Sequence, residues 1–179
     1  MKITHTTQDM EKYKGDMITY FVHQQGKKVP VCDNKFVQDT VKLAFKAGDF
    51  SGKEGETLLF YPSGQGKLPA KRVLVIGLGK AEEGKSNNGA TPSDVWRDNY
   101  RRAGGKVSET ARKTRTEKIL VVVPASFILD KQETIECISE GLILGAYQFR
   151  KYKKTKEEDE TPGTIKEILL FTEKANKAV

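Results

Sequence analysis

Gly77-Leu78-Gly79, directly after the apolar run Val73-Leu-Val-Ile76, is the arrangement in this 179-residue chain best suited to chemistry. A backbone without side chains at that place lets a phosphate reach main-chain amides at the start of a helix. The third glycine of a dinucleotide fingerprint does not follow in register. Ala81, Glu82 and Glu83 come next, and helix signals begin only near Pro92. The spacing therefore favours a structural turn leaving a sheet over a nucleotide cradle.

Other chemistries find less. Zinc held by thiolate and imidazole needs four clustered ligands, whereas Cys32, Cys137, His5 and His23 are scattered, with Cys137 inside an apolar helical pattern. No Gly-x-Ser-x-Gly elbow is present and neither histidine neighbours a nucleophile motif, which disfavours covalent hydrolysis. A two-metal hydrolase needs carboxylates converging on ions about 4 Å apart. The acidic residues here fall mostly in loops and caps, and the one dense run, Glu157-Glu-Asp-Glu160, reads as solvated. Tyr147, Phe149 and Tyr152 lack the spacing of a base-stacking surface and are assigned to core and interface. No catalytic, cofactor-binding or metal-binding residue is assigned.

The net charge of +7 raises the question of a polyanionic partner. Basic residues recur from Arg97 to Lys118, but Glu109 and Glu117 interrupt them, and the cluster from Lys151 to Lys156 runs into the acidic one. A solvated surface is favoured over a nucleic-acid groove, whose signature is an unmixed basic stripe with interleaved aromatics. No apolar run approaches the roughly 20 residues that span a bilayer, and the first residues lack a signal peptide's apolar core, so a cytoplasmic protein is expected.

The elements that would position these residues alternate between strands and helices. Residues 17–22 are rich in strand formers, with 2–7 as the expected partner strand. Asp33 is the expected N-cap of a helix over 34–47, which Gly48 ends. Strands follow at 57–61, 72–77, 119–123 and 165–171, several of them apolar on both faces as in parallel sheets covered on both sides. Thr91-Pro-Ser-Asp94 opens a second helix and Asp130-Lys-Gln-Glu133 a third, running to about Phe149. Gly141 and Gly145 interrupt this last helix at a cost of about 1 kcal/mol each, so their face is expected to press closely against the sheet, beside Ile138 and Leu142. The charged stretch 153–163 reads as an exposed loop. The whole reads as an α/β fold, a three-layer α/β/α sandwich with a mixed, largely parallel sheet.

Four segments carry a resemblance. Gly48-Asp-Phe-Ser-Gly-Lys-Glu-Gly-Glu-Thr57, Lys71-Arg-Val-Leu-Val-Ile-Gly-Leu-Gly-Lys80, Tyr100-Arg-Arg-Ala-Gly-Gly105 and Glu140-Gly-Leu-Ile-Leu-Gly-Ala-Tyr-Gln-Phe-Arg-Lys-Tyr-Lys153 are similar, in order and spacing, to the amino-terminal domain of the leucyl (cytosol) aminopeptidase family. The resemblance implies a macro-domain-like module over 1–171, with 172–179 starting a linker to a carboxy-terminal catalytic domain. It also implies a cytoplasmic, homohexameric parent that removes amino-terminal residues from peptides with two divalent metals, zinc or manganese. Those metals would sit in the catalytic domain, whose Asn-Thr-Asp-Ala-Glu-Gly-Arg signature does not occur here, so no site residue carries over. The module would serve assembly or shielding. The alternatives are a free-standing module that holds an ADP-ribose-type ligand near Gly77 to Lys80, and a weak nucleic-acid binder.

Overall fold

The computed structural model describes residues 1–7, 10–62, 68–80, 91–125, 129–147 and 163–172. Six strands form one sheet: β1 (Lys2–Thr6), β2 (Met17–Gln24), β3 (Thr57–Phe60), β4 (Arg72–Lys80), β5 (Lys118–Val122) and β6 (Glu167–Phe171). Their order is β1-β6-β5-β2-β4-β3, parallel throughout except for β3, which runs antiparallel to β4 at one edge. Three helices cover it: α1 (Lys35–Ala47), α2 (Pro92–Lys113) and α3 (Lys131–Ala146).

Alternation along the central strands divides the core into two layers. Met17, Phe21, Leu74, Ile76, Ile119, Val121 and Ile168 point to the face covered by Trp96, Tyr100 and Val107 of α2 and by Ile138 and Leu142 of α3. Ile18, Tyr20, Val73, Val75 and Leu120 point the other way, onto Val37 and Val41 of α1. This is the expected α/β/α sandwich with its mixed, largely parallel sheet.

The opening strand pairs differently from the expectation. β1 lies against β6, the last strand in the chain, while β2 sits between β5 and β4. Burial explains it: Met17 to Val22 is buried throughout and belongs in the middle, whereas 2–6 holds only exposed and half-buried residues and suits an edge. In consequence the unit from β4 through α2 to β5 steps over β2 rather than joining adjacent strands.

The helix caps follow the sequence at two of three starts. Thr91 and Asp94 form a reciprocal capping box with Pro92 at the first position, and Asp130 accepts a bond from the Glu133 amide at 2.7 Å. At α1 the cap is Asn34, not Asp33; its Oδ1 accepts from the Val37 amide at 3.1 Å. Gly48 ends that helix with φ of 84°, as expected of a C-terminal glycine. α3 ends at Ala146, where Tyr147 turns to extended backbone with φ of −66° and ψ of 131°, before the expected end near Phe149.

The glycines of α3 face α2 rather than the sheet. A Cβ on Gly141 would lie 2.0 Å from the Arg101 carbonyl oxygen, and one on Gly145 would lie 2.7 Å from Gly105 Cα. The fit is reciprocal, since a Cβ on Gly104 of α2 would lie 2.4 Å from the Ile138 carbonyl oxygen. The two backbones meet there, and the buried Ser108 hydroxyl donates across the contact to the Leu142 carbonyl at 2.7 Å. Ile138 and Leu142 are fully buried as expected, because they lie just beside the glycine seam. Tyr147, by contrast, is 71% exposed at the end of α3 and does not belong to the core. Phe149, Tyr152 and the acidic run 157–160 lie outside the described residues.

Candidate functional site

Gly77 and Gly79 form no turn at all. Both lie within β4, which continues to Lys80, and the loop over 49–56 presses onto them. The Gly77 amide donates to the Glu56 carbonyl at 2.9 Å and the Gly79 amide to the Gly52 carbonyl at 3.0 Å. A Cβ on Gly77 would lie 2.1 Å from the Lys53 carbonyl oxygen, which is why glycine stands there. The amides a phosphate would need are thus already engaged by protein carbonyls. The loop is itself braced by Glu56, whose carboxylate accepts from the Ser51 amide at 2.8 Å and the Lys53 amide at 3.1 Å. Burial opposes the charge on Glu56, but these bonds overcome it and hold its pKa below the usual value.

The other sequence candidates are dispersed. Cys32 and Cys137 are both free and buried, on opposite faces of the sheet. Burial pushes the Cys32 thiol up to about 11, which leaves it protonated and unreactive at neutral pH. His5 bonds Thr172 across the β1 edge, while the His23 ring lies tilted at 55° against Trp96 with ring centres 4.7 Å apart. Burial lowers the His23 pKa and keeps that imidazole neutral. Among the described residues, no group of three or more His, Cys, Asp or Glu could hold a metal ion. These residues do not fit a two-metal centre.

Five of the six basic residues of α2 are matched by acids. Arg97 pairs with Asp94 at 3.0 Å and Glu133 at 2.8 Å, Arg102 with Glu54 at 3.0 Å and Asp98 at 2.7 Å, and Arg101 with Glu140. Lys106 and Lys113 share Glu109, at 2.9 and 2.6 Å, and these bonds lower its pKa to about 2. A phosphate backbone arriving here would have to compete with carboxylates already in place. Duplex DNA is therefore expected to bind weakly and to be lost as salt rises. Sub-micromolar binding at physiological salt that disappears on reversing the charges of Arg97, Arg101 and Arg102, measured by fluorescence anisotropy, would contradict this.

A concave site lies elsewhere, at the carboxyl ends of the parallel strands. The chain leaves β2 for α1 on one face and β5 for α3 on the other, and a doubly wound sheet opens a crevice where adjacent strands part in this way. A cavity of about 300 Å³ is found beside that point. Val122, Val123, Pro124 and Ala125 at the end of β5, with Phe171 and Thr172 at the end of β6, supply a largely apolar wall. Asp33, just before the cap of α1, and Lys131, the first residue of α3, bring opposite charges to the lining.

Asp33 is held in place by its neighbours. Gln38 of α1 accepts from the Cys32 amide at 2.5 Å and donates to the Pro30 carbonyl at 3.1 Å, pinning the segment that leads into the helix. Sequence reasoning passed over this site because Asp33 and Lys131 read only as parts of helix starts. The available signal was their position, each at the entry of a helix that follows a buried strand.

Fold and crevice together define a doubly covered α/β module with its open end at the carboxyl edge of the sheet, the architecture seen in macrodomains. The chain belongs to the cytosol aminopeptidase family, as its amino-terminal domain, since the sequence profile of that domain matches residues 21–156. The probable cytosol aminopeptidase of Desulforapulum autotrophicum is 36% identical over 96% of this chain, which covers 33% of that relative. The probable cytosol aminopeptidase of Aquifex aeolicus is 32% identical over 95% of this chain, which covers 31% of it. The chain thus spans about a third of the length of the curated relatives it matches.

Solved structures agree on the fold. A tomato leucine aminopeptidase mutant superposes with a TM-score of 0.67 at 15% identity, over 96% of this chain and 32% of that one. The macrodomain of Thermus aquaticus DarG superposes with a TM-score of 0.57 at 8% identity, over 96% of this chain and 98% of the other. Among the described residues no helix is long and apolar enough to cross a membrane.

Proposed function

We propose that this chain serves as the non-catalytic amino-terminal domain of a cytoplasmic leucyl aminopeptidase. The parent removes amino-terminal residues from peptides with two divalent metals, zinc or manganese, held by its carboxy-terminal domain, and works as a homohexamer. The domain itself assembles the enzyme or shields its active site. The observation that carries this reading is the family match over 21–156, in a chain that spans only about a third of its relatives. The dispersal of His, Cys, Asp and Glu among the described residues is consistent with chemistry placed outside this domain.

The 179-residue chain is expected to show no hydrolysis of leucine p-nitroanilide or of a leucyl dipeptide, with or without added manganese or zinc. Turnover is expected once the chain is joined to the catalytic portion of a relative, with assembly followed by light scattering. Metal-dependent turnover by the chain alone, retained through repurification and lost on replacing one of its own carboxylates, would refute the proposal.

A further inference from the structure

We infer that the exposed apolar end of α3, formed by Ile143, Leu144 and Tyr147, docks against the carboxy-terminal portion of the same polypeptide. The inference rests on the proposed function and deepens it by naming the surface through which this domain meets its partner. Along its solvent side α3 at first follows amphipathic patterning, for Gln132, Glu136 and Glu140 recur at four-residue spacing and are all exposed. One turn later the stripe changes character. Ile143 and Leu144 in the last turn and Tyr147 at the cap take it over, at 54, 71 and 71% exposure, and residues three and four apart share a helix face. The opposite face is occupied, with Gly141 against α2 and Ile138 and Leu142 in the core. A helix apolar on both sides belongs between two layers, and among the described residues α3 is covered on one side only.

Patch size and chain length choose the occupant. Three side chains at these exposures present on the order of 300 Å², well below the roughly 800 Å² that each partner brings to a stable interface, so the patch alone does not support a dimer of this chain. A tethered domain needs less. This chain covers 33% and 31% of two relatives, which leaves about two-thirds of such a polypeptide to be held beside it at millimolar effective concentration. Against a neighbour so placed, a small apolar contact is enough to set orientation. The other exposed large apolar side chains among the described residues, Met1, Val31, Leu43 and Tyr61, come singly from separate parts of the chain.

Hydroxyl-radical footprinting, which oxidises accessible side chains, tests this by comparing the 179-residue chain with the full-length parent. Leu144 and Tyr147 are expected to label about fivefold more slowly in the parent, because the centre of an interface excludes water. Leu43 of α1, 69% exposed on the other face of the sheet, should label equally in both. Leu144→Lys retains a helix former and places a cation near the carboxyl end of the helix. In the parent it is expected to return Tyr147 to the labelling rate of the isolated chain, and in the isolated chain to leave the urea midpoint unchanged. Equal labelling of Leu144 and Tyr147 in chain and parent overturns the inference. So does a midpoint lowered by Leu144→Lys in the chain alone, which would place the patch within the domain's own packing. Protection that grows with protein concentration assigns the patch to a second copy or a neighbouring subunit and overturns it as well. Hydrolysis of leucine p-nitroanilide by the parent, read in the same samples, separates the two readings: turnover without protection refutes the docking surface alone, and absence of turnover refutes the proposed function.

Discussion

Gly141→Ala is expected to lower the free energy of unfolding by about 2 kcal/mol, whereas Gly105→Ala on the facing helix is expected to leave it unchanged or raise it by up to about 1 kcal/mol. Both glycines lie inside helices, so both substitutions gain the same helical propensity. Contact decides the sign. The new Cβ at Gly141 would stand 2.0 Å from the Arg101 carbonyl oxygen and 2.8 Å from its carbon, all backbone atoms that yield only if α2 and α3 separate. The nearest atom to a Cβ on Gly105 is the Gly141 carbonyl oxygen at 3.7 Å, an ordinary van der Waals contact. Separating the helices would also strain the bond from Ser108 to Leu142. Gly145→Leu should cost about 1 to 3 kcal/mol for the same reason, since even its Cβ meets Gly105 Cα at 2.7 Å. Urea denaturation gives the comparison directly. A midpoint for Gly141→Ala at or above the parent's would show that the glycine seam does not set the distance between these helices.

Asp16→Ala is expected to cost about 2 kcal/mol at neutral pH, with the charge-dependent part of that loss vanishing in acid. Asp16 stands just before β2 and ties the starts of three strands together. Its carboxylate accepts from the Glu117 and Lys118 amides at 3.0 Å each and from the Lys71 ammonium at 2.7 Å. Its main chain adds bonds to Arg72 and Lys118. The exposed Lys71 contributes little through charge alone, so the two amides, left without an acceptor in the alanine variant, carry most of the cost. Burial of the carboxyl would raise its pKa, but Lys71 and the amides of Lys118 and Glu117 outweigh that and hold it below the usual value.

The sign follows from linkage. A carboxyl whose pKa is depressed in the folded state contributes stability that is complete above its unfolded value, near pH 4, and that fades as pH falls through the lower folded value. The parent and Asp16→Ala should therefore draw together as pH falls below about 4. Glu56, lowered in the same direction, remains in both proteins and leaves a residual acid limb. Stability curves that stay parallel below that pH would show that the Asp16 charge is not what holds the strand starts.

The predictions differ in how much of their basis was legible in the sequence. Strand formers in Met17 to Val22 and the continuous apolar run Val73 to Ile76 announced strands, because a stretch apolar on both faces suits a sheet covered on both sides. Thr91 with Asp94, Asp130 with Glu133, and Gly48 announced helix ends, because caps are made by residues a few positions apart. The family, too, was readable, since its four segments are local strings that survive without any knowledge of what they touch.

What the sequence by itself determined was thus the local inventory: strands, helices, two of the three helix starts, and the kinship with cytosol aminopeptidase amino-terminal domains. Only the tertiary structure decided that β1 pairs with β6, that Gly141 and Gly145 face α2 instead of the sheet, that Gly77 and Gly79 lie within a strand under the loop over 49–56, and that Asp33 and Lys131 share a crevice. Each of these joins residues far apart in the chain. A glycine in a helix signals that something comes close, but its missing side chain carries no mark of what that neighbour is. The choice among strand partners and helix faces is made by the combined burial of the whole core, a quantity that no local stretch of sequence contains.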